Sequence, residues 1–184
     1  MASPTPSRPL APGRSCGDCT LCCKVMGIAA LDKPRGKWCS NCEVGKGCRI
    51  YETRPEECAT FYCGYMLNPD IDEAWKPSRS KIVLVPEDKG NRVAAHVDPQ
   101  RPDAWKQEPY YSTLKQWARH AVTAGGQVMV TVGERRIMVF PDKDVDLGVV
   151  GADERVLILR NPTPAGLKLD AIKLHKDDPR VQGQ

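Results

Sequence analysis

Nine cysteines crowd into one stretch of this chain: Cys16, Cys19, Cys22, Cys23, Cys39, Cys42, Cys48, Cys58 and Cys63. The sequence after Cys63 contains none, and no histidine lies between Cys16 and Cys63. The stretch opens C-G-D-C-T-L-C-C, a CxxCxxCC spacing that obliges four thiols to meet within eight residues. A segment of this kind folds either as an oxidised scaffold stapled by disulfides or around a soft metal.

Disulfides fit poorly. The count is odd, and the N-terminal residues MASPTPSRPLAPGRS hold no apolar run for a signal peptide, while their prolines spoil an amphipathic transit helix. Residues 1–15 therefore read as a disordered tail on a cytoplasmic protein, in a compartment where thiols stay reduced. The long cysteine-free remainder also has enough apolar residues to build a core without covalent staples.

Thiolates are soft donors suited to zinc, iron-sulfur clusters or copper(I), and the three histidines, His96, His120 and His175, all lie downstream. An all-sulfur site is expected. If residues 17–24 form a helix, about 100° of turn per residue puts Cys16, Cys19 and Cys23 on a narrow face with Cys22 beside Cys19. The adjacent pair Cys22 and Cys23 cannot readily point at one tetrahedral metal together, so it serves two metals or bridges them. Nine thiols suit two four-cysteine sites with one left over, or a compact polynuclear cluster.

Known spacings leave the metal open. The bacterial ferredoxin run CxxCxxCxxxCP is matched in three of its four cysteines, with Met26 at the fourth position, and Cys39, Cys48 or Cys58 remain to complete such a cluster. The CxxxCxxC spacing expected of a radical enzyme using S-adenosylmethionine is absent. Cys16-Gly17-Asp18-Cys19 and Cys39-Ser40-Asn41-Cys42 are CxxC units of the kind that zinc sites pair. Zinc and iron both stand.

Charge is compatible with an anionic centre. Between Arg14 and Arg54 the basic residues are Arg14, Lys24, Lys33, Arg35, Lys37, Lys46, Arg49 and Arg54, against the acids Asp18, Asp32, Glu43 and Glu52. The excess offsets thiolate charge, or it is simply a solvated basic loop. Nucleic acid is a poor partner for a chain of net charge +4 without a basic, aromatic-interleaved motif.

In order along the chain, CxxCxxCC is followed by Trp38-Cys39, then Gly47-Cys48-Arg49-Ile50-Tyr51, then Arg54-Pro55-Glu56-Glu57-Cys58 and Phe61. This order resembles the YkgJ-like family of zinc- or iron-chelating cysteine-cluster proteins, over residues 16–66. The resemblance carries the family's cysteines onto Cys16, Cys19, Cys22, Cys23, Cys39, Cys48 and Cys58, and leaves Cys42 and Cys63 as additions. It implies a bound metal and no particular reaction. Some members have been called iron-sulfur oxidoreductases, and a distant relation to flagellin lysine N-methylases implies a cluster-bearing enzyme as an alternative.

Other residues of the block have physical tasks. Thr53 and Glu56 have the spacing of a capping box, with Pro55 between them, which predicts a short helix carrying Cys58. Trp38, Ile50, Tyr51, Phe61, Tyr62 and Tyr65 are candidates for an apolar wall around the sulfurs, or for the ordinary core of a small module. Asp70 and Glu73 predict a capped turn through Trp75 that Pro77 stops.

Downstream, Lys81 to Val85 and Arg92 to Val97 read as strands around the turn Glu87 to Asn91. Tyr110, Leu114, Trp117, Ala118 and Ala121 recur with helical spacing between Pro109 and Ala124, and Gly125-Gly126 ends the helix. Val128, Val130 and Val132 alternate up to Gly133-Glu134, and Ile137 to Phe140 return as a hairpin. Arg155 to Arg160 and Leu167 to Leu174 add strands. The fold class is α+β: a small cysteine-rich metal-binding module (16–66) packed, through a connection (67–79), on a mixed sheet with one amphipathic helix (80–176), followed by a tail (177–184).

Asp142, Asp144 and Asp146 have the spacing of a calcium loop, but Leu147 stands where glycine is needed and Asp153 where a bidentate glutamate is needed. His120 is a candidate base with no nucleophile or carboxylate tied to it by motif. There is no phosphate loop and no membrane span. Three classes of function follow: a protein binding zinc or iron for structure or metal handling, an iron-sulfur redox or transferase enzyme, and a zinc-stabilised module that binds a protein partner.

Overall fold

A computed structural model describes residues 10–164 and 166–181. The first nine residues of the expected tail, and the end of the C-terminal one, lie outside them. In the cysteine-rich part, regular structure is minimal. The one-turn helix α1 (Cys22–Val25) is followed by a hairpin of two-residue strands, β1 (Cys42–Glu43) and β2 (Gly47–Cys48), and by one-turn helices α2 (Glu56–Ala59) and α3 (Gly64–Leu67). Another single turn, α4 (Pro77–Ser80), leads into the sheet.

The sheet has five strands in the order β3 (Ile82–Glu87), β4 (Arg92–Val97), β5 (Gln127–Val132), β6 (Arg135–Val139) and β7 (Asp144–Val149). All neighbours are antiparallel except β4 and β5. Those two run parallel because the fifteen-residue helix α5 (Tyr110–Ala124) lies between them and carries the chain back to the starting edge. A second hairpin, β8 (Glu154–Thr163) with β9 (Gly166–His175), pairs over ten residues a side. The coarse α+β class and the mixed sheet read from the sequence are present.

Successive strand residues point to opposite faces, so each face has its own partner. Ile82, Leu84, Ala95, Val97, Val128, Val130, Ile137 and Val139 face α5, where Tyr110, Leu114 and Ala118 supply the buried stripe, together with Trp75 and Trp105. Gly125 ends α5 at φ 74°, a left-handed position that suits glycine, and the Gly126 amide donates back to the Ala121 carbonyl at 2.7 Å. On the other face Val83 packs against Leu21, Val25, Cys63, Tyr65 and Met66, while Ala94, Met129 and Met138 pack against Leu169 and Ala171 of β9. The cysteine-rich part and the β8–β9 hairpin thus share the face that α5 leaves free.

Several local expectations fail for identifiable reasons. Pro77 opens α4 instead of stopping a helix, as proline suits a first helical position, and the preceding turn Glu73–Trp75 is capped by Asp72, whose carboxylate accepts from the Ala74 amide at 2.7 Å. The stretch read as a connection holds core: Trp75 is 2 % exposed, stacks on Trp117 and meets Tyr110 edge-on. Leu10 to Ser15 are docked, not trailing. Ala11 is buried with its amide on the Met66 carbonyl, and the Arg14 guanidinium donates to the carbonyls of Tyr65, Asn68, Pro69 and Ile71.

Candidate metal centre

All nine thiols are free. The first two lie on a turn, not on a helix: the Cys19 amide donates to the Cys16 carbonyl at 2.8 Å and Gly17 adopts φ 52°. That left-handed residue rules out the helix expected over residues 17–24, and helical geometry begins only at Cys22. Cys58 does ride on a short helix, α2, but the capping box is not made, because Thr53 belongs to the preceding 3₁₀ turn and Pro55 occupies the cap without a side-chain bond.

Short connections bring the remaining cysteines around α1. The Cys39 amide donates to the Cys23 carbonyl at 3.0 Å, and the Cys42 amide to the Cys39 carbonyl at 3.0 Å. Cys42 stands opposite Cys48 in the β1–β2 hairpin, whose turn is tied back by the Gly45 amide donating to Thr20 Oγ1 at 3.1 Å. Glu57, beside Cys58, accepts from the amides of Ala29 and Ala30, which holds α2 to the loop that follows α1. Cys63 is buried in the cluster that also takes in Cys19 and Cys22.

The thiols feel one another. A hydrogen bond with Cys22, reinforced by burial, pushes the Cys23 thiol far up, while a bond with Cys42 opposes the rise. Burial and the neighbouring Cys23 raise Cys42 to about 11. Burial takes Cys63 to about 11, with Cys16 and Cys19 adding to the rise. Cys16 is raised by burial and by Cys19 and Cys23. Cys58 is raised by burial, then by Cys23, Glu57, Cys39 and Cys48. In position, Cys63 packs with Cys19 and Cys22, Cys39 is tied to Cys23 through its backbone, and Cys42 faces Cys48 across the hairpin. Cys42 and Cys63, which the motif resemblance leaves outside, each stand beside cysteines that it includes.

In chemistry this donor set suits a soft metal: nine reduced thiols, partly shielded from water, whose ionisation is opposed by burial and by one another and is helped by a cation. In position it falls short of a closed site, since among the described residues no three Cys, His, Asp or Glu side chains stand at ligating separation. The histidines lie in other settings. His96 lies within the sheet near Arg35 and Glu87, His120 borders a groove and His175 pairs with Asp177.

The apolar wall is partial. Phe61, Tyr62 and Tyr65 pack with Cys63, but Trp38 and Tyr51 are 38 % and 54 % exposed. Tyr51 carries the Arg54 guanidinium on its ring at 3.6 Å. Sequence reading missed the pins beneath the cysteines. Lys24, 3 % exposed, reaches Asp98 at 2.5 Å and Gln100 at 2.7 Å at the end of β4, and Arg35 reaches His96 Nδ1 at 3.4 Å. Their only sequence signal is their place in the basic excess around the cysteines. The calcium-like aspartates are used as structural acceptors: Asp144 by Tyr111 and Lys115, Asp146 by Arg135.

A groove of about 590 Å³ opens between α5, the β3 and β4 strands and the Gly64 to Ile71 stretch, with Trp117, His120, Asn91 and Asp70 among its lining residues. No cysteine lines it. Among the described residues no helix is long and apolar enough to cross a membrane. No family model matches this chain, nor does any curated protein or solved structure.

Proposed function

We propose that this protein binds zinc or iron, the latter as an iron-sulfur cluster if present, through the cysteines of residues 16–66. The observation that supports the reading is nine free thiols within one segment, with Cys39 tied to Cys23, Cys42 facing Cys48 and Cys63 packed with Cys19 and Cys22. Nine sulfurs that include the adjacent pair Cys22 and Cys23 suit two metal ions or one polynuclear centre better than a single mononuclear site. The motif order, which resembles that of YkgJ-like proteins, supports the same reading.

A structural or metal-handling role is favoured over catalysis. A catalytic centre needs an open coordination position beside a substrate pocket, and the groove of about 590 Å³ is lined by none of the cysteines. When bound, the metal supplies the cation that lets the buried thiols ionise; the chain supplies the sulfurs, the partial apolar cover and the backbone hydrogen bonds that hold each turn.

Metal analysis with an absorption spectrum, on protein purified without oxygen, tests the reading. Bound zinc leaves the visible spectrum clear, and an iron-sulfur cluster absorbs strongly there. Metal-free protein that keeps all nine thiols reduced and gains no metal on exposure to zinc or iron would refute it.

A further inference from the structure

Lys33 exchanges both backbone hydrogen bonds with Ile28, and the Cys39 amide donates to the Cys23 carbonyl. Between those two ties the chain is a strap, residues 34–38, that makes no backbone hydrogen bond to any other part of the described chain. It turns at Gly36, φ 77°, so close to the sheet that a Cβ there would stand 3.3 Å from Pro99 Cγ. The half-exposed Trp38 ring lies 5.4 Å from the Lys24 ammonium, and the Arg35 guanidinium reaches His96 Nδ1 at 3.4 Å. Among the described residues the second contact is the strap's only side-chain hydrogen bond.

That bond fixes the protonation state of the ring. A guanidinium has donors and no acceptor, so Nδ1 must accept and the ring proton sits on Nε2. Nε2 stands 3.5 Å from Glu87 Oε1 and has no other partner. A second proton, taken from solvent at Nδ1, would set N–H against N–H and cation against cation inside a residue that is 2 % exposed. The surroundings offer little compensation. On β4, Arg92 adds a cation, and Asp98 is already paired with Lys24. On β5 the neighbour of His96 is the uncharged Thr131, and beyond it on β6 lies Arg136, which pairs with Glu134 of the intervening turn. Lys33, Arg35 and Lys37 approach from the strap side, and residues 33–39 hold no acid. Glu87 of β3 is the carboxylate at the ring, and it is shared with Arg92 at 3.6 Å. Burial lowers the His96 pKa from its ordinary 6.5, Glu87 opposes the fall, and Arg35 and Arg136 add to it, so the ring is neutral and the strap is held at neutral pH.

We propose that His96 is an acid-sensitive latch: protonation at Nδ1 removes the acceptor, expels the Arg35 guanidinium and frees residues 34–38 while the sheet beneath stays folded. The strap runs into Cys39, so acid loosening reaches the thiol segment through this loop. The latch does not depend on a bound metal.

The test follows the His96 ring by NMR, together with backbone hydrogen exchange scaled to the intrinsic rate at each pH, on the full chain from neutral pH down through the midpoint of the ring. Protection of residues 34–39 should fall by about tenfold or more, the scale for losing a hydrogen bond to a charged group, while α5 and β3 to β6 keep theirs. The ring and the strap should share one midpoint. Arg35→Met, which removes charge and donor but keeps an unbranched stem, should leave the strap loose at neutral pH and raise the His96 midpoint, because a cation beside the ring is gone. His96→Gln should make strap protection independent of pH over the same range; if that buried variant fails to fold, Arg35→Met, at a half-exposed position, decides alone. Strap protection that is unchanged across the titration of the ring would overturn the latch. So would an Arg35→Met ring with an unmoved midpoint, or exchange in the sheet that rises in step with the strap.

Discussion

Replacing Asp98 by asparagine should cost the protein about 3–5 kcal/mol, the scale for removing one partner of a buried ion pair. The structure places this substitution at that end of the range of effects, not among the surface pairs worth under about 1 kcal/mol. The side chains of Lys24 and Asp98 are 4 % and 10 % exposed, they approach to 2.5 Å, and the other groups facing the ammonium are uncharged, the Gln100 side-chain amide at 2.7 Å and the Trp38 ring at 5.4 Å. Asparagine is nearly isosteric and can still accept from the Gln100 amide, so no cavity confuses the result. At about 2–4 °C per kcal/mol for a chain of this size, the midpoint should fall by roughly 6–20 °C. Urea unfolding gives the free energy, and hydrogen exchange should localise the loss to residues 16–66, since Lys24 is in α1 and Asp98 is at the end of β4. The double variant Lys24→Met with Asp98→Leu, which leaves no unpaired charge, should recover much of the loss. A cost below about 1 kcal/mol for Asp98→Asn, or a double variant no more stable than the singles, would refute the claim that this pair pins the cysteine-rich part to the sheet.

Metal removal by a chelator should raise hydrogen exchange first in residues 16–66 and leave α5 and β3 to β6 protected; equal loss in both would mean that they unfold as one unit. Serine at Cys23, Cys39 or Cys42 should reduce bound metal, and serine at Cys63 should do so too, because Cys63 is buried beside Cys19 and Cys22; metal stoichiometry of each variant decides, and a Cys63→Ser protein with full metal content would remove that thiol from the site. Acid should destabilise the protein through His96, which is 2 % exposed and held by burial below its ordinary 6.5, with Arg35 and Arg136 adding to the depression and Glu87 opposing it. The unfolded chain therefore takes the proton first, so stability is complete above about pH 6.5 and drains as the pH falls through the folded value; Glu87, lowered chiefly by its bond to His96, adds a loss below 4.5. In His96→Gln the slope of unfolding free energy between pH 6.5 and 5 should flatten, and an unchanged slope would assign acid sensitivity to other groups.

Four strands of the sheet and α5 were legible because their signals are periodic or long, whereas β7 (Asp144–Val149) was not read, since Asp144 and Asp146 give it the look of a polar loop. Arg92 to Val97 form the strand read after the turn Glu87 to Asn91, Val128 to Val132 lie in the strand read from alternation, and Tyr110 to Ala124 form the helix read from the spacing of Tyr110, Leu114 and Ala118 up to Gly125. The parallel pairing of β4 with β5 was not read, although a helix between two strands implies a crossover of that kind. Around the cysteines the same kind of reasoning loses its grip, since elements of two to four residues have no period to detect. There a single backbone preference decides: Gly17 in the left-handed region turns an expected helix into a loop, and Pro55 in the cap position leaves Thr53 out of α2. Lys24 and Arg35 were visible only as members of a basic excess. Their separate roles depend on which residues fold over them, and that information is long-range.

The shortness of those elements also dictates how the cysteines can be held. An isolated single-turn helix or two-residue strand has almost no intrinsic stability, so the positions of the thiols must be fixed from outside the segment. The sheet does this at three separated points. Val83 receives Leu21, Val25 and Cys63; Asp98 receives Lys24; and His96 receives Arg35, all on or beside the sheet face that α5 does not cover. Arg14 closes the opposite end by gathering four carbonyls between Tyr65 and Ile71. Each anchor lies close in sequence to cysteines it steadies: Lys24 follows Cys23, Arg35 precedes Cys39 and Arg14 precedes Cys16. Metal affinity should consequently depend on the sheet even though the sheet contributes no sulfur, because a ligand set that is already placed loses less conformational entropy on binding.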